Sequence, residues 1–562
     1  MGYSGAAYGL RAGLRAAMAL SLAVAAGACG GGGGGDTPAP VTPPTPPAAP
    51  ALPTTAQAFA FLDEATFGPR AAELQRVTTA GYAAWIDDQL AAPPTFHLPV
   101  VQQLFTTNPP ATGQPQPQAD RLDAWFRAAL NGPDPLRQRV AYALSQILVA
   151  SDVGALRTQP QALAFHYDVL VRHALGNFRE LLEDVTLTPA MGVYLSMLGN
   201  QKPDAARNIR PDENYAREVM QLFTIGLVQL NLDGTPKLDA QGIGLPTYDQ
   251  SVIEGFANVF TGWTHAGATQ ATFTNPRRNF VAPMQAVPFY HSTGTKKLLN
   301  GVTLPAGQTP EQDLDAALDN LFNHPNVGPF IGRQLIQRLV TANPSAAYVE
   351  RVARAFNDDG RGVRGNLAAV VRAILLDPEA RAAPTDTSGR LEEPFLRLVQ
   401  LWRAYGAKSA SGRYLINAPE QAFGQAPLRS PSVFNFYRPD YQPPGELQAG
   451  GLASPEMQIT TETTTVTAAN ALYNAVFLRN SSLANPQPND VLIDIAEELA
   501  LADNPAALVD RVAQKLLGGQ VSPALRQAAI DQVGRVAVAN RANRVAEALY
   551  LVVTSPEYAV SR

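Results

Sequence analysis

The chain has 562 residues, 46% of them hydrophobic, a formal net charge of −5 and one cysteine, Cys29. A single cysteine excludes an intrachain disulfide, and a mildly acidic composition argues against nucleic acid, which calls for a basic surface. The length beyond the first fifty residues suffices for roughly two or three domains.

The opening segment, MGYSGAAYGLRAGLRAAMALSLAVAAGACG, carries Arg11 and Arg15, no acidic residue, an apolar run from Ala16 to Ala26 and small residues up to Cys29. That order predicts a bacterial signal peptide over 1–28. The run is too short for a comfortable transmembrane span. AGAC resembles the lipobox of bacterial lipoproteins, although Ala26 stands where leucine is commoner, so Cys29 is the expected lipidation site. Removing the leader takes two arginines away and moves the net charge from −5 to −7.

Residues 29–54 hold a glycine run and then DTPAPVTPPTPPAAPALPTT. Such a stretch buries no core and favours flexible or extended chain, so it reads as a tether between a lipid anchor in the membrane and a soluble body. Gly30 fits sorting to the outer membrane; the alternative is a secreted or periplasmic protein.

From residue 55 onward the apolar residues recur mostly at three and four, which predicts helices. The candidates in chain order include AFAFLDEATFGPRAAELQRVTTAGYAAWIDDQLAAP, RLDAWFRAALN, DPLRQRVAYALSQILVAS, QALAFHYDVLVRHALGNFRELLEDVTL, DLDAALDNLFNHP and VGPFIGRQLIQRLVTANP. A helical set follows the last long loop. The expected class is mainly α, a multi-helix bundle with long ordered loops and at most small β excursions. Residues 231–249 contain a DG turn signal, the TQATFT alternation within 264–307 suggests a strand, and 423–465 is long, aromatic and proline-rich. A division at 55–245, 246–415 and 416–562 fits these changes in composition, and so does one continuous bundle.

The sequence has no phosphate loop, no GxGxxG following a strand, and no GxSxG, HExxH or CxxCH motif. Six histidines include no HxH pair, so no metal site is expected, and no cofactor is identified. The densest group of charges lies in RPDENYAREVMQLFTIGL, residues 210–227. Asp212 suits a helix cap and Glu213 the positive end of the helix dipole. Helical spacing then places Tyr215, Val219 and Leu222 on one side, Asn214, Arg217 and Glu218 on another, and Glu213 within reach of Arg217.

The same stretch resembles the bacterial family called domain of unknown function 1800. Further resembling pieces are FLDEATFGPR at 61–70, RHALGNFRELLEDVTLTPAMGVYL at 172–195, FTGW at 260–263, the H-x-x-G-x-K segment at 291–296, HPNVGPFIGRQLIQRLV at 324–340 and TSPEYAVSR at the end. The resemblance implies a largely helical exported protein and names no reaction. Where relatives read LHTLG and His-Asp, this chain has LFTIG at 222–226 and His291-Ser292. That directs attention to Glu213, Arg217 and Glu218 as catalytic candidates, with Asn214, Tyr215, His291 and Lys296 as substrate contacts.

Three readings follow. A hydrolase acting on an envelope or extracellular polymer would use Glu218 or Glu213 as acid or base, with Arg217 beside them. A surface binding protein would hold a polysaccharide or a co-exported protein through the aromatics of PSVFNFYRPDYQPP, chiefly Phe436 and Tyr437. A structural reading makes ENYARE a polar network that fixes helix packing.

Overall fold

The computed structural model describes residues 51–477 and 485–561. The segment 1–28 expected to be a leader, Cys29 and most of the stretch expected to be a tether lie outside the described residues. Leu52–Arg562 forms one compact unit. Among the described residues are twenty-three α-helices and three two-stranded antiparallel sheets, so the protein is mainly α.

Local signals account for many of the helix boundaries. Thr54 and Gln57 form a reciprocal capping box at Thr55–Ala65. Pro135 opens Pro135–Ser145 at a position where its missing N–H costs nothing. The long apolar run through 161–187 breaks into Pro160–His173 and Phe178–Leu187, because Gly176 turns the chain and the Asn177 side chain caps Arg179 N.

The expected hairpin region at 231–249 pairs through isolated bridges, Leu230 with Pro236 and Leu238 with Gly244. TQATFT departs from expectation. Gln270–Thr272 is a short 3₁₀ turn held by Thr269 and Thr272, and Phe273 is buried and stacks on Tyr290 at 4.0 Å. The strand pairing falls instead between Trp263–Thr264 and Gln285–Ala286. Arg390–Leu391 pairs with Val560–Ser561.

The hydrophobic core is continuous and rich in aromatic residues: Phe67, Trp125 and Tyr142 meet edge to face, and Trp125 also packs on Phe395. Charge is buried inside it as well. Arg139 donates to the Arg338 carbonyl at 2.5 Å, Arg390 pairs with Glu392 at 2.6 Å, and one oxygen of Glu393 accepts from Tyr142, Gln146 and Gln425. Burial pushes the Glu392 carboxyl up to about 7 against the pull of Arg390, and Glu456 up to about 8 for the same two reasons.

These shifts set the pH response. Burial also lifts Glu64 and Asp168 to about 7. A carboxyl raised in the folded state contributes stability that is lost as pH rises from its unfolded value through its folded one. His97, His166 and His324 are lowered by burial to about 4 and act the other way, but only below their ordinary 6.5. Between about pH 6.5 and about pH 8 the carboxyls act alone, so the melting temperature should fall across that window. A melting temperature that rises there would contradict this account.

Candidate functional site

The helix Asn214–Gln221 is entered through a tight turn. Asn200 clasps the Asp212 backbone, accepting from its N–H at 2.9 Å and donating to its carbonyl at 3.3 Å, while Asp212 Oδ1 accepts from Asn214 N at 2.8 Å. Glu213 pairs with Arg217 at 3.0 Å, and Gln250 Nε2 reaches both Glu213 oxygens. This group is part-exposed and joins two helix starts, and such ion pairs contribute little individually. Asn214 is exposed. Tyr215 is core: its hydroxyl meets Thr186 Oγ1 at 2.6 Å and its ring packs edge-on against Phe260.

Glu218 differs from its neighbours in the motif. It is only 8% exposed, its Oε2 has no hydrogen-bond partner, and burial raises its carboxyl against the pull of Arg217. Two tyrosines lie within electrostatic reach. Tyr194 is pushed up to about 12 by burial and faces Ser430; Tyr248 is raised by burial, feels both Arg217 and Glu218, and has an unpartnered hydroxyl. Ser430 is buried, yet its Oγ makes no well-directed hydrogen bond. Neutral hydroxyls and a carboxyl held toward its acid form therefore converge here.

The backbone that presents Ser430 is clamped and strained. Arg121 donates to the Pro427 carbonyl at 2.7 Å, Asp152 N donates to the Leu428 carbonyl at 2.9 Å, and Ser151 Oγ donates to the Ser430 carbonyl at 2.7 Å. Leu428 has φ +53°, Asn435 further along the same loop has +66°, and Ser196 beside Tyr194 has +61°. Left-handed backbone at a residue with a Cβ costs about 1–2 kcal/mol, and such positions gather where a site needs its groups held in place.

Phe436 and Tyr437 lie inside the body with Ile459, and the Tyr437 hydroxyl reaches Gln146 Oε1 at 3.3 Å. As placed, they offer no free ring face to a polymer; of the aromatics in that loop, Phe434 is the exposed one, at 52%.

His291 and Lys296 are brought together, but with Asp313 rather than with Glu218. His291 Nε2 and Lys296 Nζ stand 2.7 and 2.6 Å from the same Asp313 oxygen, and the other ring nitrogen faces the Thr261 carbonyl at 2.9 Å. All three side chains are sealed from solvent. Gly262, at φ +87°, packs tightly on the network, since a Cβ there would fall 3.0 Å from His291 N. Its own N–H donates to Asn200, so the network supports the Asp212 turn from behind.

Tyr194, Tyr248 and Ser430 were not singled out from sequence. Tyr194 lies near the end of the 172–195 piece and Ser430 within the 423–465 loop, but no spacing rule links either to Glu218. Among the described residues, no group of His, Cys, Asp and Glu side chains could hold a metal ion, and no helix is long and apolar enough to cross a membrane. Asp313→Ala should destabilise the fold by about 3–5 kcal/mol, since it leaves Lys296 buried without its counter-charge. Denaturant unfolding checks this, and a loss below about 1 kcal/mol would remove the structural role.

No curated protein and no solved structure matches the chain. The family model described as protein of unknown function (DUF1800) matches residues 60–560. That covers nearly the entire body and includes the Glu218 helix, the clamped loop and the buried His291 network. The chain belongs to the DUF1800 family.

Proposed function

We propose that this protein is a hydrolase displayed at the bacterial cell envelope, with Glu218 as its acid–base group and an envelope or extracellular polymer as its substrate. The observation that carries the reading is the unpartnered Glu218 Oε2 in a setting that favours the protonated carboxyl. A carboxyl poised this way gives its proton to the leaving oxygen as the bond breaks. As a carboxylate it then takes a proton from the water whose oxygen joins the electrophilic centre, which restores the starting state. Tyr194, Tyr248 and Ser430 supply neutral hydroxyls to orient substrate and water.

Glu213 and Arg217 take a different part in this reading. Their pairing with each other and with Gln250 fits the structural role, joining the helix Asn214–Gln221 to Gln250–Val259. The display role rests on the leader, Cys29 and the proline-rich tether.

Two experiments test the proposal. Glu218→Gln keeps the shape and removes the proton donor, so stability at neutral pH should change by less than about 0.5 kcal/mol or rise. Release of soluble fragments from isolated cell envelopes should at the same time fall by about 10²–10⁴-fold. Equal release by both proteins, or none by the unaltered chain, would sink the catalytic role. For the anchor, Cys29→Ser should move the chain from the membrane fraction to the soluble one; unchanged fractionation would rule out lipidation at that residue.

A further inference from the structure

A second group of carboxyls, two of them buried, lines a cavity of about 760 Å³ that shares none of the residues around Glu218. Its volume lies in the range of small-molecule sites. Asp63, Glu64, Glu392 and Glu557 face it, and Arg381 is the one basic side chain on its wall.

We propose that this cavity binds an organic cation, a primary amine or guanidinium carried on an apolar body.

Four observations support the assignment. The first is the excess of acids over bases on the wall. The second is incomplete pairing: Glu64, 6% exposed, uses Oε2 on Arg381, and no hydrogen bond among the described residues reaches its Oε1. Glu392, also buried, is paired instead: the Arg390 guanidinium lies 2.6 Å from its Oε2. Asp63 is occupied as well, accepting from Gln400 at 2.9 Å and Ser561 at 2.7 Å. The free acceptor is therefore Glu64 Oε1.

Third, burial holds the Glu64 carboxyl at about 7 even beside Arg381, so a positive group entering the cavity would recover electrostatic energy that folding leaves unused. Fourth, the wall already accommodates a cation: the Arg381 guanidinium lies 5.5 Å from the ring centre of Tyr82, which lines the cavity, and 5.3 Å from that of Phe61. Phe59, Leu516 and Leu517 complete an apolar lining that suits a hydrocarbon body. A metal ion fits less well, since no set of side chains among the described residues is arranged to hold one.

The test is titration calorimetry of the full chain with hexylamine, and with hexan-1-ol and hexanoate as partners of equal length. Hexylamine should bind at least about ten-fold more tightly than hexanol, with hexanoate weakest. Its heat should vary with the ionisation enthalpy of the buffer, because Glu64 releases its proton as the ammonium enters. Glu64→Gln should weaken hexylamine by about ten-fold. Equal affinity for amine and alcohol would reduce the cavity to an apolar void. Preference for hexanoate, absence of hexylamine binding, or undiminished binding by a folded Glu64→Gln variant would each overturn the proposal. The ligand series uses the unaltered chain, so the test stands even where a variant fails to fold.

Discussion

One carboxylate oxygen of Glu393 gathers three hydrogen bonds, from Tyr142, Gln146 and Gln425, and much of the architecture depends on that convergence. A charge placed this deep is tolerated only when donors surround it. Tyr142 belongs to Pro135–Ser145, Gln146 follows it, Gln425 opens the long loop, and Glu393 itself precedes Pro394–Ala404. The carboxylate thus fixes where the loop meets the helices. Arg338 donates to the Gln146 carbonyl at 3.1 Å, so Gln146 is held through both its side chain and its backbone.

With the loop pinned at Gln425, the next residues have little freedom. Arg121, Asp152 and Ser151 hold the backbone from Pro427 to Ser430, and Leu428 takes a left-handed conformation as a consequence. That strain needs compensation from the surrounding bonds, and the clamps provide it. The outcome is a serine brought to Tyr194 by a loop whose position is determined elsewhere in the core. Interior charge, loop placement and candidate chemistry form one causal sequence.

Much of the fold was legible from three- and four-residue apolar spacing, because that spacing reflects burial directly. The helices Pro310–Phe322 and Val327–Leu339 follow their apolar patterns closely. TQATFT misled because alternation over six residues is also met by a threonine-capped turn with one buried Phe273. At the candidate site, Glu218 was legible as part of a charged helix face. Its separation from Glu213 was not, since two carboxyls five residues apart read alike until a neighbouring helix and loop cover one of them. Ser430 and Tyr248 come from segments far apart in the chain. Asp63, Glu64 and Glu392 were invisible for the same reason, as no local pattern reports a cavity assembled from both ends of the body.

That assembly bears on how the protein reaches its folded state. Ser561 donates to Asp63 across a separation of 498 residues, and its strand pairs with the one that leads into Glu392. Contacts between positions so distant in sequence close late, after the loss of chain entropy between them. A chain synthesised from its N-terminus presents the helix Thr55–Ala65 long before residue 561 arrives. During that interval Asp63 lacks a hydrogen bond it will later have, and the first helix waits for its final neighbour. The cavity wall therefore depends on a contact that only the last residues of the body can supply.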